Sequence, residues 1–216
     1  MMDIAQIRKE MIPCDCQNTG CKEFKTCCFT ATEVVRVTGG DSDAIHLMFV
    51  GQGAGKDEDF NMNPRNEKRQ PFVGKAGAYL RNMIKSLWDE GILFNIAISN
   101  SVRFHPLDVN RKDRNPSPEE IDDCIHILNR DIDTIKPKTL ITLGASTSSA
   151  LAPETAGVTM AKAAGTQHVY RDIKTVPMYH PSFLTRYYGK FFPNQSGEYH
   201  VRCLNILKNS ALDALK

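Results

Sequence analysis

Residues 45–50, Ile-His-Leu-Met-Phe-Val, form a nearly unbroken apolar run that stops on Gly51. A strand with one wet face alternates polar and apolar residues. A continuous run ended by glycine suits a strand buried on both faces, as in a parallel sheet covered by helices. Further runs follow at residues 94–100 and 139–143, the second followed by Gly144, and residues 167–179 suggest two strands around Arg171-Asp172. Residues 34–37 add a strand-like run before them. Between these lie helical patterns. Ala76, Leu80, Met83, Ile84 and Leu87 recur at helical spacing over 75–90. Ser117-Pro118-Glu119-Glu120 joins a cap, a first-turn proline and two acids near the positive end of the dipole, and the helix is expected to run to about Ile135. A short helix near 145–152 and an amphipathic one over 199–215 complete the pattern. Ile4, Ile7 and Met11 read as a short helical stripe over 3–12, and His180-Pro181-Ser182 reads as the opening of a loop. Alternating strands and helices predict an α/β fold with a mostly parallel sheet. Ligands of such folds lie beyond the carboxyl ends of the strands.

The 216 residues suit one domain or at most two, and 41% hydrophobic content supports a full core. No internal repeat or linker interrupts the chain, so a single domain spanning 1–216 is expected. With 27 basic against 25 acidic residues the net charge is +2, which excludes a strong polyelectrolyte. No stretch approaches the roughly 18 apolar residues of a membrane span. The N-terminus has no apolar signal-peptide core, so a cytoplasmic protein is expected.

The seven cysteines are unevenly placed. Cys14, Cys16, Cys21, Cys27 and Cys28 crowd into the segment 13–28, while Cys124 and Cys203 stand alone. A cytosolic chain does not build a disulfide framework, so clustered thiolates point to zinc or an iron–sulfur centre. Cys124 shares a helix face with Ile121, Ile125 and Leu128, so core packing stands beside ligation for it; Cys203 reads as core.

Three motifs sit at strand ends. The loop 51–59, Gly-Gln-Gly-Ala-Gly-Lys-Asp-Glu-Asp, has Lys56 in the third-glycine register and lacks a G-K-[ST] ending, so it matches neither dinucleotide nor P-loop fingerprints. A phosphate-type loop and a plain turn both remain open. Phe72, in Pro71-Phe72-Val73-Gly74, is either core or an aromatic platform. Asn100 ends an apolar strand where its amide offers both a donor and an acceptor to a base edge, or merely makes a turn. His180 lies at another strand end.

In order, these blocks resemble the uracil-DNA glycosylase superfamily, most closely its family 4, the iron–sulfur type. The similarity runs through residues 49–59, 71–77, 100–103, 114–121, 143–145 and 179–182. The resemblance implies one three-layer domain around a central four-stranded, mostly parallel sheet. It implies excision of uracil from DNA after base flipping, in base excision repair; a monomer is expected. The alternatives are a glycosylase for another deaminated base and a non-catalytic DNA- or partner-binding relative. By resemblance, Gly51 and Gly53 bring backbone close to the base and the neighbouring phosphate, Phe72 stacks on the base, Asn100 reads its edge and His180 stabilises the leaving anion. Ser182, Phe183 and Leu184 enter the minor groove, with Phe183 or Leu184 as wedge. Arg103, Arg111, Lys112, Arg114 and Arg186 are phosphate-contact candidates.

Two departures accompany the resemblance. Gln52 stands where the family carries a water-handling Glu, so Glu58 or Asp57 is expected to assist it. Phe104 stands where a cluster cysteine is expected. A structural [4Fe–4S] cluster, with zinc as the alternative, would then draw four ligands from Cys14, Cys16, Cys21, Cys27, Cys28 and Cys124, or use His105. Segments 60–70 and 105–114 read as insertions.

Overall fold

The computed structural model describes residues 7–14, 30–37, 43–187 and 195–216. Among these, seven strands form one mixed sheet in the order β1-β2-β4-β3-β5-β7-β6. The strands are β1 (Ile7–Ile12), β2 (Thr32–Val37), β3 (Leu47–Gly51), β4 (Ile96–Asn100), β5 (Thr139–Leu143), β6 (His168–Tyr170) and β7 (Ile173–Met178). The helices are α1 (Lys75–Asp89), α2 (Pro118–Ile135), α3 (Ala145–Leu151), α4 (Met160–Ala163), α5 (Pro181–Tyr187) and α6 (Gln195–Ala214).

The expected four parallel strands are present as the centre, β4-β3-β5-β7. The sheet is nevertheless larger than expected, because antiparallel partners extend both edges: β1 and β2 beside β4, and β6 beside β7. Residues 7–12, expected as helix, pair along their whole length with β2, from Ile7 opposite Val37 to Ile12 opposite Thr32. The weak stripe at Ile7 and Met11 is overridden there by the free backbone edge of β2, a long-range partner.

Successive residues of the central strands point to opposite faces, as the pleat requires. Leu47, Phe49, Ile96, Ile98, Ile141 and Met178 join the larger core with α1 and α6. Met48, Val50, Ala97 and Leu140 pack with Leu128 and Ile132 of α2 and Leu151 of α3. This double burial explains the continuous apolar runs. Helix α2 starts as the sequence requires: Ser117 Oγ accepts from the Glu120 amide at 3.3 Å and the Glu120 carboxylate accepts from the Ser117 amide at 2.7 Å.

Because the four central strands run in parallel, Gly51, Asn100, Leu143 and Met178 all end at one edge of the sheet. That edge carries the three motifs.

Candidate base-binding site

A cleft of about 610 Å³ opens at this edge. Gln52, Phe72, Asn100, His180, Ser182 and Arg186 all line it, so the structure gathers residues that lie more than 130 positions apart in sequence.

Asn100 pairs in register with Gly51 across β4 and β3 and is 1% exposed. Its Oδ1 is buried and has no hydrogen-bond partner among the described residues. Buried amide oxygens are rarely left unpaired, and Asn100 lines the cleft, so its oxygen is a candidate acceptor for a ligand's N–H. The Phe72 ring lies against Gly51, its Cζ 2.5 Å from where a Cβ on residue 51 would sit. The cleft therefore sets an aromatic ring beside a hydrogen-bonding amide.

His180 closes the other side, its ring centroid 5.9 Å from that of Phe72. Its Nδ1 accepts the Ser182 amide hydrogen at 3.1 Å and lies 2.8 Å from Ser182 Oγ. An acceptor Nδ1 places the ring proton on Nε2. Burial, reinforced by the Arg186 guanidinium, pushes His180 down to about 4, so the ring is a neutral donor at physiological pH. Residues 181–187 form α5 rather than the expected loop, because Pro181 presets the first turn and the Phe183 amide donates to the His180 carbonyl at 2.9 Å. Gln52 approaches from β3: a Cβ on Gly144 would meet His180 Cβ at 3.2 Å and Gln52 Nε2 at 3.3 Å, so the two side chains converge over that glycine.

The acidic loop is a brace. Glu58 is 8% exposed, with Oε2 accepting from the Gly55 amide at 2.9 Å and Oε1 from the Gly74 amide at 3.0 Å. The Ala54 amide is likewise taken, by the Phe104 carbonyl at 3.0 Å. These bonds favour the braced turn over the phosphate-type loop, since amides 54 and 55 are already paired. Asp57 stays exposed and lines the cleft.

Two of the phosphate-contact and wedge expectations, Arg103 and Leu184, are corrected. Arg103 is 1% exposed and paired with Asp131 at 2.7 Å, also donating to Thr32 Oγ1 at 3.0 Å; it is a core residue. Leu184 is 1% exposed in the core and cannot serve as a wedge. Phe183 stacks on Tyr179 at 5.4 Å and meets Tyr199 edge-on, so it would have to leave that aromatic cluster to enter DNA. Arg114 lines the cleft but its guanidinium forks onto Glu120 at 2.6 and 2.7 Å. Arg111, Lys112 and Arg186 are exposed, as are Lys56 and Lys75 on the cleft wall, which sequence reasoning had not singled out.

On α2, Cys124 is fully buried in a cluster with Val102, Phe104, Ile121 and Ile127, and half-buried Cys14 packs on the same cluster. The Pro13 carbonyl accepts from Arg130 at 3.3 Å, and Thr30 bonds the Arg103 carbonyl at 3.2 Å through its amide and its hydroxyl. Cys16, Cys21, Cys27 and Cys28 lie outside the described residues. Among the described residues no group of three or more His, Cys, Asp or Glu side chains is placed to hold a metal ion. His105 faces Asp59 Oδ2 through Nδ1 at 3.2 Å and Asp113 Oδ1 through Nε2 at 2.8 Å, so both nitrogens are occupied and the alternative ligand is withdrawn. Cys203 is fully buried, as expected for core, and burial pushes its thiol up to about 12.

Residues 39–208 match the profile of the Uracil DNA glycosylase superfamily, and the chain belongs to that superfamily. Its relatives narrow the type. It is 29% identical over 191 residues to the Type-4 uracil-DNA glycosylase of Sulfurisphaera tokodaii, covering 84% of this chain and 76% of that one. It is 31% identical over 152 residues to the Type-4 enzyme of Thermotoga maritima, covering 69% and 71%. The Type-4 enzyme of Archaeoglobus fulgidus matches at 31% over 121 residues, covering 56% and 54%.

Proposed function

We propose that this protein excises uracil from DNA by hydrolysing the N-glycosidic bond, leaving an abasic site. The observation that carries the reading is the unpartnered, buried Asn100 Oδ1 beside the Phe72 ring. Uracil presents N3–H and O4 on its pairing edge, which the Asn100 oxygen and amide hydrogens complement; cytosine presents the opposite pattern.

A base inside a duplex cannot reach this cleft, so the target nucleotide is flipped out of the stack. Its ring lies on Phe72. As the C1′–N1 bond breaks, the bonding electrons move to uracil, and negative charge builds on O2. The neutral His180 Nε2–H donates to that oxygen. Such a preorganised donor contributes roughly 10²–10³-fold. Gln52 orients the water that adds to the sugar cation but cannot take its proton. Both Glu58 oxygens already accept amides and Asp113 is paired with His105, so Asp57 is the acidic group left on the cleft wall to receive it. Ser182, Arg186, Arg111, Lys112 and the two cleft lysines contact phosphates, and Arg114 holds the rim through Glu120.

Cys14, Cys124 and two of Cys16, Cys21, Cys27 and Cys28 would hold a [4Fe–4S] cluster. The cluster would supply structural cross-linking of the N-terminal segment to α2, and no reaction step passes through it. The working form is a monomeric, single-domain cytoplasmic or nucleoid-associated protein. Among the described residues no helix is long and apolar enough to cross a membrane.

The test is a gel assay for strand breaks at alkali-treated abasic sites in a uracil-containing oligonucleotide. Wild type should yield product, with Asn100→Ala and His180→Ala slower by roughly 10²–10³-fold. Absence of product in all three overturns the enzyme; product only from another deaminated base reassigns its substrate.

A further inference from the structure

Phe72 has a left-handed backbone, φ 55°, a conformation that L-residues with large side chains rarely adopt. Such a residue persists only where its surroundings over-determine it. The surroundings are unusual here, because they come from an inserted segment and from a buried charge on a distant strand.

Each residue leading into Phe72 is tied separately. The Arg69 carbonyl accepts from the Ala31 amide at 2.9 Å. Gln70 is held on both sides by Asn66, whose Oδ1 accepts the Gln70 amide at 2.9 Å and whose Nδ2 donates to the Gln70 carbonyl at 3.1 Å. The same Nδ2 reaches the Glu58 carbonyl at 3.1 Å, which joins the insertion to the acidic loop. The Gln70 side chain donates to Glu33 Oε1 at 2.9 Å. Arg81 of α1 pairs with Glu33 Oε2 and also donates to the Pro71 carbonyl at 3.1 Å. The Glu33 side chain is fully buried, so this carboxylate is a fixed anchor. Beyond Phe72, Gly77 leaves room for the Phe72 carbonyl, which a Cβ there would overlap.

We infer that Asn66 and the buried Glu33–Arg81 pair are positioning residues for base recognition: they hold the Phe72 ring against Gly51 and beside Asn100. The insertion 60–70 is thereby part of the uracil site although none of its residues lines the cleft. The inference rests on the reading of Phe72 as the surface on which the base stacks.

The effect should be read as affinity for the base rather than for DNA. Free uracil serves as a competitive inhibitor, and a duplex carrying a tetrahydrofuran abasic analogue reports DNA binding. Asn66→Asp keeps the shape and the acceptor but removes both donors; Glu33→Gln removes the anchoring charge independently. Each should weaken uracil inhibition by about tenfold, the size of one lost buried hydrogen bond, with abasic-duplex affinity changed by less than about twofold. In a Phe72→Ala background the same two substitutions should change uracil inhibition no further, because they act through the ring. If they weaken it equally in both backgrounds, or if neither weakens it in the parent, the positioning role is overturned. If Phe72→Ala alone leaves uracil inhibition intact, the stacking reading itself fails, which is a separate signature. Should Asn66→Asp not fold, Glu33→Gln carries the same comparison, and unequal DNA affinity in both would also overturn the inference.

Discussion

Gly51 and Asn100 face each other across β3 and β4, and the amide of Asn100 occupies space that any side chain at residue 51 would need. The Phe72 ring competes for the same space, 2.5 Å from that absent Cβ. One hydrogen atom therefore permits both the base-reading amide and the aromatic ring to close on the strand end. Gly51→Ala should displace one or both. Overpacking of this kind costs about 1–3 kcal/mol of stability, while misplacing the reading group should slow excision by roughly 10²-fold. Single-turnover cleavage together with a melting curve checks this; an active variant with an unchanged rate would show that the closeness is incidental.

Asn100→Ala should separate function from stability. The side chain holds an oxygen that is buried without a protein partner, so the folded apo protein already carries the desolvation cost of that atom. Its removal should leave the melting temperature unchanged or raised, even though kcat/KM for uracil DNA falls. Free uracil should stabilise the parent against heat and not the variant. A variant that melts well below the parent would mean that Asn100 serves the strand end and not a ligand.

The central architecture was readable because double burial leaves a one-dimensional trace: residues 45–50 and 139–143 are apolar throughout, and glycine or a cap marks where each element ends. Arg171 and Asp172 even sit at left-handed φ values of 49° and 63°, the tight turn their position between β6 and β7 suggested. The edges were less readable. Whether residues 7–12 coil or extend depends on the unpaired edge of β2, which no local pattern encodes. The buried charges were hidden for the same reason. Glu33 lies inside an otherwise strand-like Thr-Glu-Val-Val-Arg-Val, and Arg103 follows the Asn100 motif like a phosphate ligand; only their partners, Arg81 and Asp131, distinguish anchors from surface. In the site, residue identity marked Phe72, Asn100 and His180, whereas Leu184 differed from a wedge only by the face of a short helix on which it falls.

The two isolated cysteines should behave oppositely. Cys124 shares one small cluster with Cys14, whereas Cys203 is enclosed by the larger core. Cys124→Ser should lower bound iron and the visible absorbance of purified protein, and should lower the melting temperature. Cys203→Ala should leave iron content unchanged and cost about 1–2 kcal/mol through a small cavity. Iron retained in full by the Cys124 variant would return that residue to simple packing. Stoichiometric zinc in colourless wild type would replace the cluster by a zinc site on the same thiolates.

His180 should make activity tolerant of mild acid while making the fold sensitive to it. Its ordinary value of 6.5 is lowered to about 4 by burial and by Arg186. In that interval the unfolded chain binds the proton and the folded protein does not, so stability falls as pH drops from about 6.5 toward 4, and the penalty is constant below that. Near pH 5 the loss is about 2 kcal/mol from this group. Melting of wild type against His180→Gln, followed from pH 8 to pH 5, should show the wild type losing that much relative to the variant. Catalysis follows the folded value. A proton on Nδ1 would confront the Ser182 amide hydrogen that Nδ1 now accepts at 3.1 Å, turning the ring out of register. The single-turnover rate should therefore show no inflection attributable to His180 near 6.5, and lose this contribution only near pH 4. An inflection at 6.5 that vanishes in His180→Gln would mean that the ring titrates freely in solvent and is not the buried neutral donor described above.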